Sequence, residues 1–237
     1  MRIKLQAVYL CWASVVNVSQ SRQAIAQFLQ ARLCEERNIE FCERDDRMEE
    51  SFRHAGKVTG VTDGFLNEIG KHTYVIYIYG ETGNMDEAKH IAFAGAAILK
   101  AGGLGIKIET AGKAFEKNKW LGFIETFKPA YLYKMFVVDS IINMDGTVYS
   151  CGMHNLGYMD TIISGEEFQK AVGLISMFGY YQIIDKPTIL KGQTFSTEIG
   201  SPRYRIMEEQ NQPNKGHELF ENPLGMWRLT RMDSPKQ

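Results

Sequence analysis

The chain has 237 residues, of which 44% are hydrophobic and 23% charged, and its formal net charge is −1. That length can bury a sizeable core, in one large domain or two small ones. The near-neutral balance supplies no global basic field for nucleic acid or anionic lipid, so neither is expected as a partner.

The first residues, MRIKLQAVYLCWASVV, combine a basic start with an apolar run. Gln6 interrupts that run and no small-x-small cleavage site follows, so a first strand over about Ile3 to Ala13 is expected rather than a signal peptide. No stretch approaches the roughly 18 apolar residues of a membrane helix. Cys11, Cys34, Cys42 and Cys151 lack the paired spacing of a zinc ribbon or a redox CxxC. Together with eleven methionines, this is the composition of a reducing cytoplasm. Neither a metal nor a cofactor is expected.

Ala24, Ile25, Phe28, Leu29 and Leu33 then share one helical face, with Ser19 or Ser21 placed to cap it. Ile39 to Cys42 is a short apolar strand, and ERDDRMEESFRHAGK after it reads as a solvated excursion. Residues 72–80, HTYVIYIYG, are almost continuously apolar and β-branched or aromatic, as a buried central strand should be. Residues 84–103 form a helix that begins at Asn84 or Asp86 and ends at Gly102, and LGIKIE follows as a strand. Strand, helix and strand with short connections predict a βαβ unit with a parallel pair.

TAGKAFEKNKWLGFIETF is expected to be a helix or two short ones, broken at Pro129. Residues 136–152 are two strands around the turn Met144-Asp145-Gly146. SGEEFQKAVGLISMF is a helix capped by Ser164, with Glu166 and Glu167 in its first turn. The remaining strands lie in PTILKGQTFSTEIG, RYRIMEE and GMWRLTRM, split by the polar QNQPNKG. The expected class is α+β: a mixed β-sheet with a βαβ unit and flanking helices, in a single domain over 1–237 or two closely packed lobes meeting near residue 150.

Strand, glycine, lysine and helix in GGLGIKIETAGKAF suggest a phosphate loop, G-x-x-x-x-G-K-[ST]. Counting back from Gly112 puts Lys107 where the first glycine belongs, and Ala114 stands where the hydroxyl belongs. A phosphate loop is therefore excluded. Gly80 and Gly83 lack the full dinucleotide spacing, and Asp86 and Glu87 occupy the turn an anion would need. On the strand itself, Ile106 and Ile108 face the core, while Lys107 and Glu109 project together on an accessible face beside the turn that carries Lys113.

The stretch from Lys71 to about Trp120 resembles a recurring bacterial pattern. An alanine-rich helix is followed by Gly102 and Gly103, a strand with Lys107 and Glu109, then Gly112, Ala114 and Trp120. The pattern is similar to that of uncharacterised bacterial α/β proteins of immunity-protein type, some encoded near polymorphic or type VI secreted toxins. The resemblance implies a cytoplasmic protein that binds and neutralises a cognate toxin, and it carries no catalytic residues with it.

Two constellations remain as candidates. Lys107, Glu109, Lys113 and Trp120 are binding candidates on the motif itself. Cys151 and His154 are close enough in sequence for a nucleophile and base, with Asp160 or Glu109 as the third group, or they are structural. The alternative function is a small-molecule enzyme or sensor with a pocket near Glu109, Lys113, Cys151 and His154. Trp120, Trp227, Tyr180 and Tyr181 are the aromatic residues suited to anchoring a protein partner. His54, His72, His90 and His217 are scattered without ligand spacing.

Overall fold

The computed structural model describes residues 2–9 and 39–232. The expected helix carrying Ala24 to Leu33, and the end of the first strand beyond Tyr9, lie outside them. Alternating apolar residues build two sheets. The first uses β1 (Arg2–Tyr9), β2 (Ile39–Glu43), β3 (Tyr74–Glu81), β4 (Gly103–Ile108) and β5 (Lys113–Glu116) in the order β2-β3-β1-β4-β5, with every neighbouring pair antiparallel. The second uses β6 (Val138–Ile142), β7 (Val148–Cys151), β8 (Asp160–Ile163), β9 (Thr194–Phe195), β10 (Tyr204–Glu208) and β11 (Met226–Arg231) in the order β6-β7-β8-β11-β10-β9. That sheet is mixed, because β8 and β11 pair in parallel. The class is α+β, and among the described residues no helix is long and apolar enough to cross a membrane.

The βαβ unit is present in split form. Helix α3 (Met85–Lys100) connects β3 to β4, which run the same way, but β1 lies antiparallel between them. The expected parallel pair is therefore separated by one strand, a placement that local pattern does not encode. Asn84 caps α3 by accepting from the Asp86 amide at 2.8 Å, and Gly102, at φ 109°, turns the chain away after it.

The charged segment after β2 is the main departure from expectation. It folds as α1 (Met48–Ala55), followed by α2 (Asp63–Ile69), and both cover one face of the first sheet. Met48, Phe52 and Ala55 recur at helical spacing and are buried, while Glu49, Glu50 and Arg53 pair on the outside. Phe52 meets Phe65 of α2 edge-on at 5.9 Å. Gly105 permits this approach, since a Cβ there would stand 2.5 Å from the Phe65 ring.

The segment expected to be helical after residue 109 begins instead as strand β5 and only then becomes α4 (Lys117–Glu125). Pro129 stands immediately before α5 (Ala130–Phe136), at the break expected there. In the second half, Glu167 rather than Ser164 caps α6 (Phe168–Ile184), accepting from the Gln169 and Lys170 amides at 3.1 Å each. Glu166 pairs instead with Lys170 and accepts from the Tyr204 hydroxyl. The principal core includes Ile76 and Ile106 of the first sheet, Phe136 of α5 and Ile183 of α6, so one apolar cluster spans both sides of residue 150.

Candidate functional site

Register decides which way each candidate points. Lys107 opposes Ala114, on the face covered by α1 and α2; Ile108 opposes Lys113, on the face covered by α3 and α5. The expected meeting of Glu109 with Lys113 therefore does not occur, because paired residues of neighbouring strands share a face and successive residues alternate. Lys107 donates to Glu109 Oε2 at 2.8 Å and to Ser51 Oγ of α1 at 2.6 Å. Their side chains are only 12% and 15% exposed, so the accessible face expected for them is roofed by α1. Lys113 donates to the Val137 carbonyl at 2.6 Å. Burial lowers its ammonium to about 8, opposed by Asp139 and assisted by Lys119.

Trp120 is fully buried and donates from Nε1 to the Ala92 carbonyl of α3 at 3.0 Å, so it belongs to the core and cannot anchor a partner. Trp227 is likewise buried, under α6.

Cys151 and His154 lie where the two halves of the chain meet. Gly152 and Gly157 bracket a single 3₁₀ turn, Met153–Leu156, at φ 116° and 89°. A Cβ on Gly157 would stand 2.5 Å from the Gly83 carbonyl, and the Gly83 amide donates to the His154 carbonyl at 2.9 Å. Asp160 is the hub beneath the turn, accepting from Ser150 Oγ, the Met153 amide and Asn222 Nδ2 at 2.9, 3.2 and 2.7 Å. Thr110 Oγ1 donates to Asn155 Oδ1 at 2.8 Å, which ties the motif strand to the same turn.

This environment opposes nucleophilic chemistry at Cys151. Its thiol points to the Phe220 carbonyl at 3.7 Å, and burial, with Asp160 adding, pushes its pKa well above the ordinary range. His154 is fully buried, with Nδ1 3.9 Å from Asp160 Oδ2 and, among the described residues, no hydrogen-bond partner at either ring nitrogen. Glu109, Lys113, Cys151 and His154 thus make separate contacts and do not converge on one pocket. Among the described residues, no group of three His, Cys, Asp or Glu side chains could hold a metal ion.

An open groove of about 860 Å³ lies elsewhere, between the C-terminal half of α6 and the chain carrying β9. Tyr180, Tyr181, Met177, Asp185 and Phe195 line it. Tyr181 packs on Phe195 with ring centroids 5.9 Å apart, and Tyr180 packs on Tyr133 at 4.6 Å. Behind Tyr180, Asp139 accepts from Tyr133 OH at 3.3 Å and, in a short contact, from Ser176 Oγ. Met177 is 46% exposed, and Ile184 and Leu190 nearby in the chain are 51% and 59% exposed. The two tyrosines are legible as anchors in the sequence. Asp185 and Phe195 are not, since long-range packing alone brings their segments together. One signal was present: α6 carries apolar residues around nearly its whole circumference, more than one buried face requires.

Comparison of the chain with protein-family models, with curated proteins and with solved structures gives no match.

Proposed function

We propose that this chain is a bacterial cytoplasmic binding protein of immunity type, which neutralises a cognate secreted toxin by direct contact. The observation that carries the reading is the groove beside α6, lined by Met177, which is exposed, and by Tyr180 and Tyr181, which are half-buried. Rigid aromatic side chains and methionine in a concave site are what a protein interface uses as anchors, at low entropic cost. The motif from Gly102 to Trp120 supports the same reading through its resemblance to immunity-type proteins. Its residues act in the scaffold: Trp120 and Ala114 are fully buried, and Lys107 with Glu109 fastens α1 to the sheet. Neutralisation of this kind requires a surface that covers the toxin's working face, about 1,200–2,000 Å² in total for a stable complex.

The test is to express the neighbouring open reading frame in a bacterial host, with and without this protein. Restored growth and stoichiometric co-purification are expected. Folded Glu109→Ala, Lys113→Ala and His154→Ala variants should still rescue, whereas Tyr180→Ala with Tyr181→Ala should not. Rescue lost in the first set while binding persists would point to chemistry on the toxin instead. Failure of any neighbouring product to bind would remove the reading.

A further inference from the structure

The groove has a charge character that narrows what it receives. Among the described residues, Asp185 is its one charged lining residue, and no lysine or arginine lines it. Lys186 and Lys191 belong to the same connection, yet neither contributes to the lining. Asp185 is also the C-cap of α6, a helix of 17 residues whose last turn holds no basic residue. The carbonyl end of a helix carries partial negative charge, so a carboxylate there is unfavourable until a cation joins it. Beside this doubled negative site stand Tyr180 and Tyr181, whose ring faces attract cations by their quadrupoles. Asp139, behind Tyr180, adds to burial in raising that tyrosine's pKa, which marks a further negative source on the same side.

We propose that the groove seats an arginine side chain of a protein partner, its guanidinium stacked on Tyr180 or Tyr181 and paired with the Asp185 carboxylate. Arginine suits the site better than lysine because a planar guanidinium stacks and hydrogen-bonds at once, and loses less water on doing so. The assignment rests on the partner being a protein, and it deepens that reading by naming the residue that the partner must offer.

The experiment needs no toxin. The full chain is titrated with the peptide Ac-Gly-Arg-Gly-NH2, and with its citrulline counterpart, which keeps the shape and removes the charge. The readout is NMR shifts of the Tyr180, Tyr181 and Phe195 rings. Saturable shifts with the arginine peptide are expected, with little response to citrulline. Asp185→Asn should weaken binding about three- to fivefold, the scale of an exposed charge pair, and Tyr181→Ala by a similar factor. Asp185 is exposed, whereas Tyr181 also packs on Phe178 and Phe195, so each variant is read only with an amide spectrum unchanged away from the groove, and Asp185→Asn carries the test. Equal response to citrulline, shifts outside the groove, or indifference to Asp185→Asn would each overturn the assignment. Absence of a toxic neighbour would remove the proposed function and leave this result standing; a toxin that binds with no groove shifts would do the reverse.

Discussion

Replacing Asp160 by alanine tests the hub at the seam between the two halves. The carboxylate is 1% exposed and accepts from Ser150 Oγ, the Met153 amide and Asn222 Nδ2. A buried donor left without a partner costs about 1–3 kcal/mol. Three stranded donors therefore set a range of about 3–9 kcal/mol. Asn222 Nδ2 keeps its bond to the Tyr158 carbonyl and the Ser150 hydroxyl can rotate, so the lower part of that range, about 3–5 kcal/mol, is expected. Against a typical total of about 5–15 kcal/mol, the alanine variant should lose about a fifth or more of its stability. Asp160→Asn keeps the size and one acceptor oxygen for Ser150 and Met153, but turns a donor towards Asn222 Nδ2. Its cost should be smaller, about 1–2 kcal/mol. Urea unfolding with matched m-values measures both. If the asparagine variant is as unstable as the alanine, or if both stay within about 0.5 kcal/mol of wild type, the hub argument is wrong.

Lys113 makes stability depend on pH. Burial brings its folded value down to about 8 from 10.5, so between those values the unfolded chain holds the extra proton and stability rises with pH; below about 8 this group gives no slope. The full shift is discounted for partial exposure, leaving a gain of about 1 kcal/mol from pH 7 to about 9.5, which Lys113→Met should abolish in urea melts at the two pH values. Cys151, raised by burial, opposes this rise from about pH 8.5, and Tyr77, raised by burial and by Glu109 to about 12, opposes it above about pH 10, so the Lys113 contribution is read as the difference between wild type and Lys113→Met at each pH. Gly157→Ala should cost at least about 2 kcal/mol more than Gly146→Ala in thermal melts, since both have positive φ but only Gly157 also meets the Gly83 carbonyl. Equal costs would show that the seam yields. Iodoacetamide labelling read by mass spectrometry should leave Cys151 unmodified in native protein at neutral pH and modify it in urea; rapid native labelling would contradict its burial and raised thiol.

The elements most legible in the sequence are those whose local pattern and packing agree. Residues 72–80 read as a buried strand because both faces of β3 are covered, Ile76 and Ile78 on one side and Val75 and Tyr77 on the other. Asn84 and Gly102 marked both ends of α3, and Met144-Asp145-Gly146 marked the hairpin between β6 and β7. Helix α1 was obscured because Glu49, Glu50, Arg53 and neighbouring charges dominate its composition, although Met48, Phe52 and Ala55 have the period of a buried stripe. Strand β5 was lost for the opposite reason: Lys113–Glu116 is too short for its alternation to stand out before a helix. Alternation correctly assigned Ile106 and Ile108 to the core. What it could not convey was that α1 covers Lys107, or that β5 turns Lys113 to the other face, because both depend on pairing between distant segments. The groove was half legible, through its tyrosines, for the same reason.

The position of β1 has a consequence for how the molecule assembles. Strand β1 precedes both of its sheet neighbours, β3 and β4, which come from residues 74–81 and 103–108. As the chain emerges, β1 must therefore wait for partners separated from it by long stretches of sequence, and the first sheet cannot close in the order of synthesis. Such non-local pairing slows folding and leaves strand edges open for longer. Gly83, whose amide joins the seam, lies just beyond the end of β3 in that same sheet. The first sheet therefore closes only once the chain through β4 is available to pair with β1.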